Sequence, residues 1–393
     1  MAGEWQKARL GDLAEINPEA RGKDWSFPHM RYIDISAVGE GSMLEPPQWL
    51  IASEAPSRAR RIVRAGDTVL STVRPNRRSM FFALKPKDDW IVSTGFAVLR
   101  PRRDKIEPRY LYACVFDKNF TDYLVSREKG AAYPAVLPED IADAPILLPP
   151  LEEQRAIAGI LGSLDDKIEA NRRMNETLEA MAQAIFKSWF VDGELEGAKT
   201  AWKNGKIESI ASIGRDALNP GRFPEEQFDH YSIPAFDEGR LPSLEKGEAI
   251  KSNKLIVPPN SILLSKLNPR IPRIWFPCVG KSRRSICSTE FLVVLPRQGV
   301  PREWIYGLLS SAEFLEKFAT FVTGTSGSHQ RVRPESLLAM SEHIPPQSMM
   351  ERFAAVSEPI YARVARNLME VQVLAATRDA LLPELLSGRL EIK

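Results

Sequence analysis

A narrow apolar stripe runs along two long segments of the chain. Alternating steps of four and three residues give one series, interrupted by polar residues only at its centre: Ile157, Leu161, Leu164, Ile168, Asn171, Asn175, Leu178, Ala182, Ile185 and Trp189. A second series is Phe353, Ser357, Ile360, Val364, Asn367, Val371, Leu374, Arg378, Leu381 and Leu385. Such a stripe is too narrow to anchor a helix in a large core, but it is typical of a coiled coil. We therefore predict an antiparallel pair of helices, each ~60 Å long. The alternative is an ordinary long helical hairpin.

Shorter patterns predict a globule before each long helix. β-branched runs bounded by Gly, Pro and Asn predict strands at Thr68–Val73, Trp90–Val98, Ser261–Leu267 and Phe291–Leu295. A helix with one buried face is predicted at Arg109–Leu124 and at Arg302–Phe318, and each is followed by a loop, "GAAYPA" or "GTSGSHQRVR". Thirty prolines fit irregular β structure better than a doubly wound α/β sheet.

The chain repeats itself. "GDTVLSTVRP" from Gly66 corresponds to "NSILLSKLNP" from Asn260, and "STGFAVLRP" from Ser93 corresponds to "STEFLVVLP" from Ser288. Trp5 and Trp202 begin matching stretches, as do "VLPEDI" and "VRPESL" further on. Matches at nearly constant separation indicate two copies of one design.

The predicted fold class is α+β. Two similar globular domains are separated by a pair of long antiparallel helices, as a pseudo-two-fold internal repeat. The predicted boundaries are 1–150 for the first globule, 151–197 for the central helical region, 198–345 for the second globule and 346–393 for the C-terminal helical region.

Charge alternates along the chain, although the net charge is only +2. Residues 58–103 carry twelve Lys/Arg and three Asp/Glu, a balance of +9, and residues 265–302 carry eight and one, a balance of +7. Residues 151–197 carry five basic and ten acidic residues. Two basic patches at matching places of a repeat favour a polyanionic partner over a merely solvated surface.

The sequence contains two stretches that resemble nucleotide-binding motifs, but their residue spacing does not match those motifs. "GELEGAKT" from Gly193 and "GKS" from Gly280 lack the glycines of a phosphate-binding loop. Four scattered histidines argue against a His-built metal site. Three cysteines without a CxxC pair favour a reducing cytoplasm, and neither a signal peptide nor a membrane-spanning apolar run is recognisable. These features predict a cytoplasmic, non-catalytic binding protein with neither metal nor cofactor of its own.

Several stretches resemble a known family. "PLEEQRAIAGILGSLDDKIEANRRMNETLEAMAQAIFKSWF" is similar to the central conserved region of Type I restriction–modification specificity subunits. "LLPELLSGRLEI" resembles the end of that family's second conserved region, and "GDTVLS" and "NSILLS" resemble strands of its target-recognition domains. The resemblance covers essentially the whole chain, including the duplication.

The resemblance implies a specificity subunit of a phage-defence system that directs DNA methylation and binds double-stranded DNA. Each globule would read one half of a split target, while the paired helices would set the spacer. Two methyltransferase subunits, which use S-adenosylmethionine, would dock on the helices, and two motor–nuclease subunits, which use ATP and magnesium, would then join them.

The candidate DNA contacts are arginine, lysine, amide and hydroxyl side chains near strand ends, which can bind base edges or phosphates. They are Arg74, Asn76, Arg77, Arg78, Tyr133, Asn268, Arg270, Arg273, Lys281, Arg283, Arg284, Ser328, His329, Gln330 and Arg331. Among these, Arg77 and Arg270 are predicted to lie at DNA interfaces.

Two further predictions concern the helices. Trp189 and Phe190 are candidates for partner contact, with burial against their own globule as the alternative. Asn171 and Asn367 lie near the midpoints of the two helices and are predicted to face each other within about one helical layer, which would penalise slipped registers.

Two other classes of function remain open at this stage. In a helical scaffold with tandem protein-binding globules, the basic patches would be incidental. Salt-sensitive binding to duplex DNA separates the two, because a DNA reader loses affinity steeply with salt. An enzyme with an unrecognised site would show turnover without partner subunits.

Overall fold

The computed structural model describes residues 5–22, 25–130, 134–193, 202–323 and 330–392. The chain divides into two compact units: unit 1 comprises Met1–Glu169 with Val373–Lys393, and unit 2 comprises Ala170–Gln372. Each unit therefore contains one globule together with parts of both long helices, whereas the sequence predicted separate helical regions.

The described residues form helices of very unequal length. They are α1 (Leu10–Leu13), α2 (Pro108–Phe116), α3 (Lys118–Val125), α4 (Pro138–Ala142), α5 (Leu151–Phe186), α6 (Ile233–Gly239), α7 (Arg302–Leu309), α8 (Ala312–Thr320), α9 (Pro334–Ala339) and α10 (Gln347–Leu386). A π-helical stretch, Lys187–Asp192, continues α5.

Unit 1 contains two four-stranded sheets and a strand pair. Its strands are β1 (Gln6–Arg9), β2 (Ala14–Ile16), β3 (His29–Ile33), β4 (Gln48–Ile51), β5 (Ala59–Ile62), β6 (Thr68–Ser71), β7 (Met80–Phe82), β8 (Trp90–Ser93), β9 (Phe96–Pro101) and β10 (Pro145–Leu148). The sheet orders are β2-β9-β6-β7 and β4-β3-β8-β5, and β1 pairs with β10. Strands β3 and β8 are parallel, while the other pairs are antiparallel.

Unit 2 repeats this plan. Its strands are β11 (Lys203–Lys206), β12 (Ala211–Gly214), β13 (Ala217–Leu218), β14 (Gln227–Tyr231), β15 (Ser243–Lys246), β16 (Lys254–Ile256), β17 (Ile262–Ser265), β18 (Ile274–Trp275), β19 (Arg284–Cys287), β20 (Phe291–Pro296), β21 (Val322–Thr323), β22 (Arg331–Val332) and β23 (Ser341–Ile344). Sheet β12-β20-β17-β18 matches β2-β9-β6-β7, and the parallel pair β14–β19 matches β3–β8. The predicted α+β fold with an internal repeat is confirmed.

Some predicted elements are divided in the structure. The predicted strand Trp90–Val98 is two strands, β8 and β9, which belong to different sheets. The predicted helix Arg109–Leu124 breaks at Asp117, whose carboxylate accepts from the Asn119 backbone N–H at 2.9 Å. In the second copy Ser311 caps α8 in the same way. An N-cap side chain stabilises the start of a new helix. The spacing of apolar residues contains no information about such a polar cap, so it predicts one continuous helix.

The stripe on the long helices is covered. Every position of both predicted series is buried or half-buried. In unit 1, Ile157 and Leu161 share a core with Leu382 and Leu385. In unit 2, Asn171 of α5 bonds to Glu370 of α10, and Asn175 bonds to Asn367. Residue numbers rise along one helix as they fall along the other, so the two helices are antiparallel there.

Candidate nucleic-acid interface

A polar turn follows the central strand of one sheet in each unit. Strand β6 ends at Ser71, whose hydroxyl donates to the Val73 carbonyl at 2.9 Å. Strand β17 ends at Ser265, whose hydroxyl donates to the Leu267 carbonyl at 3.1 Å. A serine that bonds the backbone two residues ahead favours a turn over a continued strand. Both strands therefore stop at the same kind of turn.

The third residue after each serine has a left-handed backbone in both copies. Arg74 has φ 49° and Asn268 has φ 47°, and each precedes a proline. The backbone N–H of Arg74 donates to the Pro134 carbonyl at 2.8 Å, and that of Asn268 donates to the Gln330 carbonyl at 2.9 Å. Each turn is thus joined to the loop that the sequence predicted after the helix of its globule. Non-glycine residues seldom adopt this backbone conformation, and when they do, they cluster at functional sites.

Three of the predicted contacts are presented outward. Asn76, Arg77 and Arg270 are exposed. Within the described part of the chain, their side chains form no hydrogen bond or salt bridge, so their donors are available to a ligand. Arg74 itself is half-buried and has other interactions.

Two other predicted contacts are engaged inside their own unit. Arg78 donates to Glu40 Oε1 and Thr121 Oγ1, both at 2.7 Å, and to the Phe116 carbonyl at 2.5 Å. Arg273 donates to both carboxylate oxygens of Asp237, at 2.7 and 2.8 Å. Their side chains are 17% and 12% exposed, respectively. We assign both to holding the turns in place, which corrects the prediction that they face DNA.

The remaining basic candidates in unit 2 are mostly paired. Arg283 donates to Asp229 Oδ1 at 2.9 Å, whereas Lys281 is exposed and makes no salt bridge to a described residue. Hydrogen bonds from Arg284 hold the pKa of Glu226 below its usual value, and those from Arg331 do the same for Glu290. Exposed pairs of this kind are weak, so they remain exchangeable for phosphate contacts.

Besides Arg331, four candidate residues come from the two predicted loops beside the turns. Tyr133, Ser328 and His329 lie outside the described residues. Gln330 is half-buried, and its carbonyl holds the Asn268 turn.

The amide of Asn268 is turned inward. Its Oδ1 is buried and has no hydrogen-bond partner among the described residues. The residue as a whole is half-buried, so its assignment as a DNA contact stays a prediction that would depend on the side-chain nitrogen.

Phe190 lies in the core of unit 2, and the half-buried Trp189 packs against that core. Phe190 is 8% exposed, and its ring centroid lies 5.6 Å from that of Phe353. Trp189 packs against the same ring at 6.2 Å. Since α5 ends on this globule, both residues follow the burial alternative, and this replaces the partner-contact prediction.

A buried polar layer joins the long helices within unit 2. Asn367 donates to Asn175 Oδ1 at 2.8 Å, and Asn171 donates to Glu370 Oε2 at 3.0 Å. Asn171, Asn175 and Asn367 are all at most 7% exposed. Asn367 therefore bonds to Asn175, the asparagine one turn away from Asn171, while Asn171 bonds to Glu370. Asn175 was visible in the stripe, yet its pairing depends on the helix offset.

Sequence reasoning missed the acidic partners, including Asp237, Glu226 and Glu290. Each comes from an element distant in sequence from its arginine, so no local spacing could have identified it. Among the described residues, no group of three or more His, Cys, Asp or Glu side chains is arranged to hold a metal. In the same part of the chain, no helix combines the length and apolarity of a membrane span.

The comparisons with known proteins agree with one another. A family model for the Type I restriction modification DNA specificity domain matches residues 2–180. The Type I restriction enzyme HindI specificity subunit of Haemophilus influenzae is 29% identical over 226 residues, which are 57% of this chain and 49% of that protein. The chain thus spans about half the length of this relative.

Two further matches extend over nearly the whole chain. The Type I restriction enzyme MjaIX specificity subunit of Methanocaldococcus jannaschii is 26% identical over 431 aligned residues, covering 99% of this chain and 94% of that protein. A crystal structure of a Type I restriction–modification S subunit from M. genitalium has a TM-score of 0.61 at 12% identity, covering 99% of this chain and 97% of that chain. At this identity the structural likeness concerns the fold alone.

Proposed function

Because the chain belongs to the family of Type I restriction–modification specificity subunits, we propose that it is the DNA-reading subunit of such a complex. Each unit reads one half of a bipartite duplex target, and the paired helices set the unread spacer. The observation that carries this proposal is the repeated site. Two units of the same topology each end their central strand in a serine-closed turn that presents an unengaged arginine, Arg77 or Arg270.

The chemistry of the turns suits duplex DNA. Arginine can donate two hydrogen bonds to a guanine edge, asparagine can pair with an adenine edge, and both can bind phosphate. Asn76 and Arg77 are adjacent in unit 1, so that turn can combine a base contact with a phosphate contact. Lys281 adds positive charge in unit 2.

The test is a salt titration of duplex binding. The double substitution Arg77→Ala with Arg270→Ala should lower affinity at least tenfold. It should also reduce the slope of log Kd against log salt by about 2, because about one unit of slope is lost with each phosphate contact. Arg155→Ala with Arg363→Ala is the matched control, because it removes two exposed arginines from the long helices. An unchanged affinity and salt slope in the first variant would refute the assignment. Salt-insensitive binding by the native chain would favour a protein-binding scaffold.

The proposal extends to partners. We infer that the subunit has no catalytic activity or cofactor of its own and acts in the cytoplasm. Two methyltransferase subunits supply S-adenosylmethionine chemistry, and two motor–nuclease subunits supply ATP- and magnesium-dependent cleavage. Since Phe190 is buried and Trp189 is half-buried, the exposed apolar residues of the long helices are the better candidates for docking: Met174, Met181, Val356 and Met369 in unit 2, and Ile160 and Val373 in unit 1. Mixing with the methyltransferase subunit should raise the mass measured by light scattering, and no shift would contradict this part.

A further inference from the structure

An aromatic–arginine cluster fastens each globule to a long helix. Anchor 1 comprises Phe82, Arg109, Tyr112 and Asp166, and anchor 2 comprises Phe276, Arg302, Tyr306 and Tyr361. Phe82 and Tyr112 of anchor 1 recur 194 residues later as Phe276 and Tyr306, and an arginine recurs 193 residues later. A similar cluster therefore occurs in both copies, although its member on the long helix is an aspartate in anchor 1 and a tyrosine in anchor 2.

Anchor 1 ties the first globule to α5. The Arg109 guanidinium lies 5.3 Å from the centre of the Phe82 ring and donates to Asp166 Oδ1 at 2.7 Å. The Phe82 and Tyr112 rings are 5.6 Å apart. A Cβ added at Gly162 would lie only 2.3 Å from Arg109 Nη1, so a glycine makes room where the arginine crosses the helix.

Anchor 2 ties the second globule to α10. The Arg302 guanidinium lies 3.6 Å from the centre of the Phe276 ring. Tyr361 of α10 packs against Phe276 at 5.1 Å and against Tyr306 at 5.0 Å between ring centroids. Tyr361 is 4% exposed, and its hydroxyl has no hydrogen-bond partner among the described residues, so the ring makes the contact.

The position of the anchors links them to the DNA-facing turns. Phe82 ends β7, and it is paired with Thr68 at the start of β6. The turn with Arg77 lies at the other end of this β6–β7 hairpin. Phe276 likewise directly follows β18, whose partner β17 leads into the turn with Arg270. In each unit the hairpin is thus held at its base and reads DNA at its tip.

A small rotation at the base has a large effect at the tip. Four residues of strand span ~14 Å. A tilt of about 15° would therefore move the tip by about 3.5 Å, which is one base-pair step of ~3.4 Å. Aromatic stacking and cation–π contacts resist such tilts because they depend on ring geometry.

We propose that the two anchors are positioning elements that hold each reading hairpin at one angle to its helix, and thereby restrict the complex to a single spacer length. This inference rests on the proposed function. Helix length sets the nominal spacer, and the anchors set how strictly it is enforced.

The test is selection by the full-length chain from a duplex library with randomised sequence. The native chain should enrich one bipartite sequence with one spacer length. The variant Arg109→Met with Tyr361→Leu should enrich the same half-sites with spacers spread over one or two base pairs on either side. Preference for the native spacer over one longer by a base pair should fall about tenfold.

Matched variants separate positioning from general destabilisation. Tyr361→Phe keeps the ring and should retain the single spacer, as should Arg155→Met, which removes an exposed arginine elsewhere on α5. If the double variant fails to fold, Arg109→Met alone carries the test, because that side chain is 22% exposed. A weaker affinity with an unchanged single spacer, or altered half-sites, would overturn the inference. Failure of the native chain to enrich any bipartite sequence would instead refute the proposed function.

Discussion

Neighbouring arginines in the first turn have opposite roles. Arg77 and Arg78 follow the same strand, yet the first is exposed and the second is 17% exposed in its side chain. Both Arg74 and Arg78 have left-handed backbones, and they flank the short 3-10 helix Pro75–Arg77. Arg78 then reaches inward to the Phe116 carbonyl at the end of α2. The turn therefore has an internal tether and an external reading side chain one residue apart.

Arg78→Ala should destabilise the protein more than Arg77→Ala. Loss of Arg78 removes three hydrogen bonds and its contact with the Phe116 ring, so unfolding free energy should fall by about 2 kcal/mol. Arg77→Ala should change it by less than ~0.5 kcal/mol, because the side chain has no partner among the described residues. Denaturant unfolding followed by circular dichroism measures both, and equal stabilities would contradict the tether assignment.

In unit 2 an ion pair between Arg331 and Glu290 stabilises the segment beside the Asn268 turn. Arg331 begins β22, directly after Gln330, whose carbonyl holds the Asn268 turn, and it donates to both oxygens of Glu290, at 2.9 and 3.0 Å. These hydrogen bonds lower the pKa of Glu290, so their stabilising effect is present above the ordinary pKa of a glutamate and is lost as pH falls through the lowered pKa.

Arg331→Gln should raise the pKa of Glu290 toward that of an ordinary glutamate. The measurement is a carboxyl carbon NMR titration of both proteins. Arg283→Gln is the control, because its partner is Asp229 and the Glu290 titration should not move. A Glu290 titration identical in the native and Arg331→Gln proteins would show that the pair does not form in solution.

At the scale of elements, the long helices combine an apolar stripe with a polar centre. In unit 2 the Asn175–Asn367 bond and the Asn171–Glu370 bond lie on neighbouring turns of the helix pair. Buried amides cost stability relative to leucine, but they leave unpaired groups in any slipped register. The layer therefore favours one register of α5 against α10.

The coupling between Asn175 and Asn367 can be measured directly. Asn367→Leu alone should cost about 1–3 kcal/mol of unfolding free energy, since it leaves the Asn175 oxygen unpaired in a buried site. The double substitution with Asn175→Leu should cost less than the sum of the single changes, by about 1 kcal/mol. Asn367→Leu combined with Asn76→Leu should be additive, because Asn76 is exposed on the first turn. Additivity in the first pair would exclude a specific Asn–Asn interaction.

At the scale of the whole molecule, one design is used twice. Matching sheets, turns and anchors recur in both units, and each unit includes parts of both long helices. Under the proposed function, this duplication gives two readers that can diverge in sequence while the helices keep a common spacing.

Adding four residues at the centre of each long helix should lengthen it by ~6 Å. The selected target should then keep both half-sites and gain about two base pairs of spacer, at ~3.4 Å each. Seven added residues preserve the heptad phase and should give about three extra base pairs. Altered half-sites with an unaltered spacer would refute the proposal that helix length sets the spacer length.

The sequence by itself determined the features that depend only on the order and spacing of residues along the chain. The internal repeat, the helical stripe and the α+β class all follow from spacings along the chain, because amphipathic periodicity and duplication do not depend on distant contacts. The family resemblance also follows from contiguous stretches. The ends of strands such as β6 were predicted to within two residues for the same reason.

Only the tertiary structure decided which basic residues remain available. Glu40 and Asp237 lie 38 and 36 residues from the arginines that they engage, so folding brings them together across different elements. The pairing of Asn367 with Asn175 likewise depends on the offset of one helix against the other. Phe190 is core because the end of α5 meets the second globule. In each case the interaction that decides whether a side chain is buried or exposed joins residues far apart in sequence. Local sequence patterns therefore cannot predict it.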